Sequence, residues 1–278
     1  MIMSIDVYNH QEPADGRYYG LHTHFSVEEF MKSRSCIVWF SLFLILSGCN
    51  PTQSAVSLTP LPSPTAHTRG EVILLTTEDG LKLSGTLFPA DGDLAVVYAH
   101  MGISDQPSWK PFAAETADQG ITALTFSFRC FGLSECNQGI ETELHLLDVL
   151  SAIHYLRDQG YQHIVCMGAS MGAAACLNAS MQENLAGLVF IAGPRELLMS
   201  GKWYPDDIVN PEMPKLFITA DQDPYAIVIS DTKRYYADSP EPRQLILYPE
   251  TVHGTDLFAT PSGSQFHQAL MDFLLAIK

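Results

Sequence analysis

The chain has 278 residues, enough for one large or two small domains, and its 46% hydrophobic and 17% charged residues are ordinary for a globular protein. Its formal net charge of −16 repels nucleic acid and anionic lipid headgroups, which argues against a general nucleic-acid binder. Beyond residue 49 there remain 12 basic and 26 acidic residues, net −14, so the acidity belongs to the folded part.

Residues 1–30 are polar, contain Pro13, Gly16 and Gly20, and show no long periodic stretch. They are read as an upstream extension, with translation starting at Met31 and His22-Thr23-His24 carrying no metal site. From Met31 a short basic start, Lys32 and Arg34, precedes an apolar run from Cys36 to Leu46. Eleven helical residues cover about 17 Å, well short of a hydrocarbon core of about 30 Å, so the run reads as a signal-peptide core and not as a stable span. It ends in Leu46-Ser47-Gly48-Cys49, which resembles the lipobox of bacterial lipoproteins. That resemblance implies a signal peptide over 31–48, cleavage before Cys49, a diacylglycerol on its sulfur, and a lipid-anchored place in a bacterial envelope facing the periplasm or the exterior. Asn50 directly after the cysteine is similar to lipoproteins sent to the outer membrane, in a cell that has two membranes. Four prolines and many hydroxyl residues follow, so 49–68 is expected to be an extended, semi-rigid tether.

Regular patterning begins at Arg69, and 69–278 is read as one domain. Strands are predicted over Glu71–Thr77, Lys82–Phe88, Leu94–Ala99, Ile121–Phe126, His163–Met167, Leu185–Ala192, Lys215–Ala220 and Arg243–Tyr248. Continuous apolar runs such as Ala95-Val-Val-Tyr98 and Leu188-Val-Phe-Ile191 suit parallel strands buried on both faces. Helices are predicted over Trp109–Gln119, Thr142–Gln159, Met171–Glu183, Ile227–Ala237 and Gly263–Ile277. Two strands followed by strand–helix alternation give an antiparallel start and a mostly parallel, eight-stranded, three-layer α/β sheet with helices on both faces.

Gly168-Ala-Ser170-Met-Gly172 fits the G-x-S-x-G nucleophile elbow, with the apolar strand Ile164–Met167 entering it and the Ala-rich stretch Met171–Ala179 leaving as a helix. Here the chain resembles the α/β-hydrolase family, over nearly all of 71–278. The resemblance implies a triad in chain order serine, acid, histidine. Ser170 is then the nucleophile. Leu216-Phe-Ile-Thr-Ala-Asp221-Gln-Asp223 matches the strand that ends in the acid, with Asp223 preferred and Asp221 its rival. His253 matches the histidine before the final helix, 30 residues past Asp223, and would be the general base. His100-Met101-Gly102 is similar to the family's His-Gly-x turn with Met101 in place of glycine. The oxyanion-hole amides are then those of Gly102 and Met171, and His100 ties the loop together. Phe126-Ser-Phe-Arg129-Cys-Phe-Gly132-Leu-Ser134 resembles the family's structural D-x-R-G-x-G-x-S loop, departing from it at the aspartate and at Cys130.

The implied activity is hydrolysis of a small acyl substrate, a carboxylic ester, through an acyl-enzyme. A peptidase, thioesterase or acyltransferase on the same triad stays open, as does a non-catalytic envelope binding protein. Ser170 in place of aspartate excludes a dehalogenase or epoxide hydrolase. Only Gly193–Pro214 separates the sixth and seventh strands, so the lid should be minimal, with Leu197–Met199, Trp203 and Tyr204 as candidate lining. No Walker loop, no Gly-x-Gly-x-x-Gly and no metal cluster is read, so no cofactor and no metal are expected; His145 and Asp148 lack further ligands. Export would place the four domain cysteines in an oxidising compartment. Cys130 and Cys136 flank a turn at Gly132 and are expected to pair, whereas Cys166 and Cys176 read as two separate buried small apolar residues.

Overall fold

The computed structural model describes residues 69–136, 144–195 and 208–278. The expected extension, signal peptide and tether, and with them Cys49, lie outside these residues, as do Leu197–Met199, Trp203 and Tyr204 of the lid. The chain runs β1 (Glu71–Thr76), β2 (Lys82–Phe88), β3 (Leu94–Ala99), α1 (Lys110–Asp118), β4 (Thr122–Phe126), α2 (His145–Asp158), β5 (His163–Ala169), α3 (Met171–Ser180), β6 (Gly187–Ile191), β7 (Lys215–Ala220), α4 (Ala226–Asp238), β8 (Arg243–Tyr248) and α5 (Gly263–Ile277). These strands form one eight-stranded sheet in the order β1-β2-β4-β3-β5-β6-β7-β8. β1–β2 and β2–β4 pair antiparallel, and every other pair is parallel.

β3, at the centre, shows why continuous apolar runs sit there. Ala95, Val97 and Ala99 face one core, packed by α2 and α3; Leu94, Val96 and Tyr98 face the other, packed by α1 and α5. With both faces covered, a polar residue on either side would lose its water without a partner, so the strand is apolar throughout. The edge strand β1 obeys the opposite rule. Leu75 points inward and is buried, while Val72 and Leu74 are exposed.

Several element ends differ from expectation. β5 runs two residues further, through Gly168 and Ala169, because these stay paired with Phe190 and Ile191 of β6. α3 stops at Ser180, whose hydroxyl donates back to the Leu177 carbonyl at 2.6 Å, and the chain then turns. β6 is shorter at both ends than Leu185–Ala192; Ala192 takes φ of 49°, which ends the strand.

Cys130 and Cys136 are joined, with Cα atoms 4.4 Å apart. The reading of Cys166 and Cys176 as two separate thiols needs correction, since they form a second disulfide between β5 and α3 with Cα atoms 5.6 Å apart. The reason is the tight turn between these elements. It folds α3 back onto β5, so residues ten apart in sequence face each other across the strand–helix interface. On the chain-entropy estimate each bridge stabilises the fold by about 2–3 kcal/mol.

The loop after β4 is anchored by a buried ion pair. Arg129, 1% exposed, donates from Nε and Nη2 to Asp148 of α2 at 2.9 and 2.7 Å and from Nη1 to Asp79 at 2.8 Å. Its backbone N–H also reaches Asp148, at 2.9 Å. Burial pushes the Asp148 carboxyl up, so its charge depends on the guanidinium. Arg129→Met should therefore lower stability by about 3–5 kcal/mol in urea unfolding, the usual effect of leaving a buried charge unpaired. Loss of less than about 1 kcal/mol would show that the pair does not hold this loop.

Candidate active site

The C-terminal end of β5 positions the first predicted residue. Ser170 lies between β5 and α3 with φ of 52° and ψ of −115°, a backbone conformation that L-residues seldom adopt. It persists because both sides of its backbone are held: its N–H donates to the Ile191 carbonyl at 2.8 Å, and its own carbonyl accepts from Ala174 N–H at 3.1 Å. The flanking glycines are required by close approach. A Cβ on Gly168 would lie 2.2 Å from the Gly172 carbonyl oxygen, and one on Gly172 would lie 2.3 Å from that of Ala99. This turn leaves Ser170 half-buried at the start of α3, where the helix dipole favours negative charge.

The predicted acid and base meet. Asp223 follows β7 and is buried, whereas Asp221, nearer the strand end, is exposed. One carboxylate oxygen of Asp223 accepts from Tyr225 N–H at 2.9 Å; the other lies 2.8 Å from His253 Nδ1. His253 follows β8, is 6% exposed, and meets the Tyr225 ring edge-on at 4.8 Å between centroids. An ionised carboxylate can only accept, so Nδ1 carries a proton, and in the neutral imidazole Nε2 then keeps its lone pair. The histidine loop reaches the serine turn: a Cβ built on Gly254 would lie 3.5 Å from the Ala169 side chain. Thus the residue after the histidine sits against the residue before the serine.

The predicted oxyanion residues also approach one another. A Cβ on Gly102 would lie 3.8 Å from Met171 Sδ. His100 fixes the loop before Gly102, as expected of it: Nδ1 is 2.8 Å from the Met101 carbonyl, and Nε2 is 3.0 Å from Phe128 N–H. The second contact makes Nε2 the acceptor, so Nδ1–H donates to Met101 and the ring is neutral. Burial holds His100 below the ordinary histidine range, in keeping with that tautomer.

His145, beside Phe128, is a second buried histidine, and its Nε2 has no hydrogen-bond partner among the described residues. Burial, then the Arg129 charge, push it down to about 4. Between pH about 6.5 and about 4 the unfolded chain binds a proton here that the folded chain does not. Stability should accordingly fall as pH drops through that window, by up to about 3 kcal/mol at 1.4 kcal/mol per pH unit. Urea unfolding of wild type and His145→Gln at pH 7 and 4.5 tests it: the wild type should lose more stability, and equal losses would rule out this histidine as the cause.

No group of histidine, cysteine and acidic residues suited to a metal occurs among the described residues, and the Asp148 carboxylate is taken by Arg129. Sequence reading placed Met101 in the oxyanion turn but missed its side-chain contact, and it missed Tyr225 and Thr255 as neighbours of the site. Tyr225 acts through its ring and its backbone N–H, neither of which leaves a mark in sequence. The hydroxyl of Thr255 donates to Met101 Sδ at 3.6 Å, a contact between residues 154 apart in the chain.

The sheet order, the antiparallel start and the serine turn between the fifth strand and its helix define the α/β-hydrolase fold. No protein-family model matches the chain, and no curated protein matches it in sequence. Among solved structures it is similar to the esterase Pf2001 of Pyrococcus furiosus, with a TM-score of 0.62 and 20% identity over 75% of this chain and 93% of that one. It is also similar to a dienelactone hydrolase of Anabaena variabilis (TM-score 0.61, 18% identity, 75% and 97% of the two chains). A predicted CIB-like hydrolase of Thermoplasma acidophilum matches at TM-score 0.60 and 16% identity, over 74% and 98%. At these identities the likeness is one of fold.

Proposed function

We propose that this chain is a serine hydrolase of carboxylic esters, with Ser170 as nucleophile, His253 as general base and Asp223 as its orienting acid. The observation that carries the reading is the 2.8 Å contact between His253 and Asp223, beside a serine held at φ of 52°. That combination is what acyl transfer needs. Ser170 Oγ attacks the ester carbonyl while its proton passes to His253 Nε2, and the new negative oxygen is met by the Gly102 and Met171 amides. The alcohol departs with the proton from His253. Water then adds to the acyl-enzyme by the same route and frees the acid. Function rests on these groups and not on the fold, which hosts many activities. Esterase and hydrolase neighbours of the same fold support the choice of chemistry.

A panel of p-nitrophenyl esters, anilides and thioesters of matched acyl groups tests the reading. Ester turnover well above that of the matched anilides is expected. Turnover of the anilides alone would assign a peptidase instead, and no turnover of any member by a folded chain would contradict the proposal.

We further propose that the mature protein begins at a lipidated Cys49 and is held at a bacterial membrane by the 49–68 tether. The support is the order of basic start, short apolar run and Leu-Ser-Gly-Cys. No helix among the described residues is long and apolar enough to cross a membrane. Intact-mass measurement of the membrane-extracted protein should give a diacylglycerol adduct on a chain starting at residue 49. A soluble product retaining residues 1–30 would contradict both the anchor and the start at Met31.

A further inference from the structure

We infer that Met101 is a positioning residue for the proposed reaction, because its main chain sets the oxyanion donor while its side chain sets the loop that carries His253. The inference rests on the serine-hydrolase reading above.

The main-chain half follows from peptide planarity. His100 Nδ1–H holds the Met101 carbonyl at 2.8 Å. In a trans peptide the carbonyl and the next N–H point in opposite directions, so anchoring that oxygen turns the Gly102 N–H away from His100. The side-chain half follows from packing. Met101 is 4% exposed. Its sulfur accepts from the Thr255 hydroxyl at 3.6 Å and lies 2.8 Å from where a Cβ on Gly254 would be. Both residues immediately follow His253, and Gly254 turns there with φ of 56°. The thioether is thus a wedge between the loop after β3 and the loop after β8. It sets how closely the base and the oxyanion donor stand. Alanine at 101 would keep the peptide group but leave the wedge empty, and the histidine loop could then settle inward or sideways. Displacement of a reacting group by about 1 Å is enough for large rate losses with little effect on ground-state binding.

The test compares wild type, Met101→Ala, Met101→Leu and Ser170→Ala on one p-nitrophenyl ester. Active sites are counted by fluorophosphonate titration and folding is followed by thermal melting. Met101→Ala should lower kcat per titrated site at least about tenfold, with KM within about twofold. Met101→Leu, which refills the space, should restore most of the loss. A purely structural role would instead reduce the number of titrated sites and leave kcat per site alone. An unchanged kcat per site in Met101→Ala, or a loss that leucine fails to restore, would overturn the inference. If Met101→Ala does not fold, Met101→Val shortens the same side chain by less and is judged by the same criterion. Wild-type turnover retained in Ser170→Ala is a different failure: it removes the reaction reading itself, and this inference with it.

Discussion

Ser170→Ala is expected to lower ester turnover by at least about a thousandfold while leaving the fold intact. The magnitude follows from what remains. Without Oγ there is no acyl-enzyme, so the site can act only by binding the ester, polarising its carbonyl and letting His253 activate a water directly. Stability should hardly change. The conformation at residue 170 is imposed by the Ile191 and Ala174 backbone contacts, which alanine keeps, and the side chain removed is small and only half-buried. Circular dichroism and melting would establish that the variant is folded, and kinetics on the same preparation would give the loss. A folded variant with wild-type turnover would place the nucleophile elsewhere.

The second large effect separates the two aspartates. Asp223→Asn should cost on the order of 10³- to 10⁴-fold in kcat. An asparagine carboxamide can donate its N–H₂ to Nδ1 of His253, which stabilises the tautomer protonated on Nε2. That tautomer cannot take the serine proton, although nothing need move. Asp221→Asn should stay within about twofold, because Asp221 is exposed and engaged locally: its N–H donates to the Tyr248 carbonyl at 2.8 Å, and its carboxylate is 3.4 Å from Gln222 Nε2. Kinetics of the two variants side by side decide the assignment. A large loss in Asp221→Asn with little in Asp223→Asn would reverse it.

Much of the architecture was legible because burial on two faces leaves a strong composition signal. β3 and β7 are buried along their whole length and carry it plainly; their predicted and observed bounds coincide, as do those of β2 and of the edge strand β8. The signal fades at ends, where local turn chemistry decides. Gly168 and Ala169 look like the start of a turn, yet their backbones still pair with β6, and pairing depends on a neighbouring strand that local sequence does not describe. The candidate site was legible in its polar residues for a related reason. A serine between two glycines, an acid after an apolar strand and a histidine before the last helix are local patterns, and the fold need only bring them together.

What stayed hidden depends on direction and not on order along the chain. Cys166 and Cys176 read as buried, which they are, but whether two buried thiols bond depends on their Cβ vectors, and those are set by how α3 lies on β5. Asp148 and His145 share a helix turn and suggested at most a weak metal pair. Their different fates, one bound to Arg129 and the other left neutral beside Phe128, come from a loop that the helix pattern does not encode. The role inferred for Met101 was likewise invisible, since its contacts with Gly254 and Thr255 join the two ends of the domain.

The most direct test of the central claim is to find which residue a fluorophosphonate modifies. The chain from Cys49 onward, labelled under conditions where it turns over esters, should be digested and its adduct mapped by mass spectrometry. A single adduct on the peptide containing Ser170, formed in step with the loss of turnover, is the predicted result. An adduct on any other residue, or full inactivation without one on Ser170, would contradict the account.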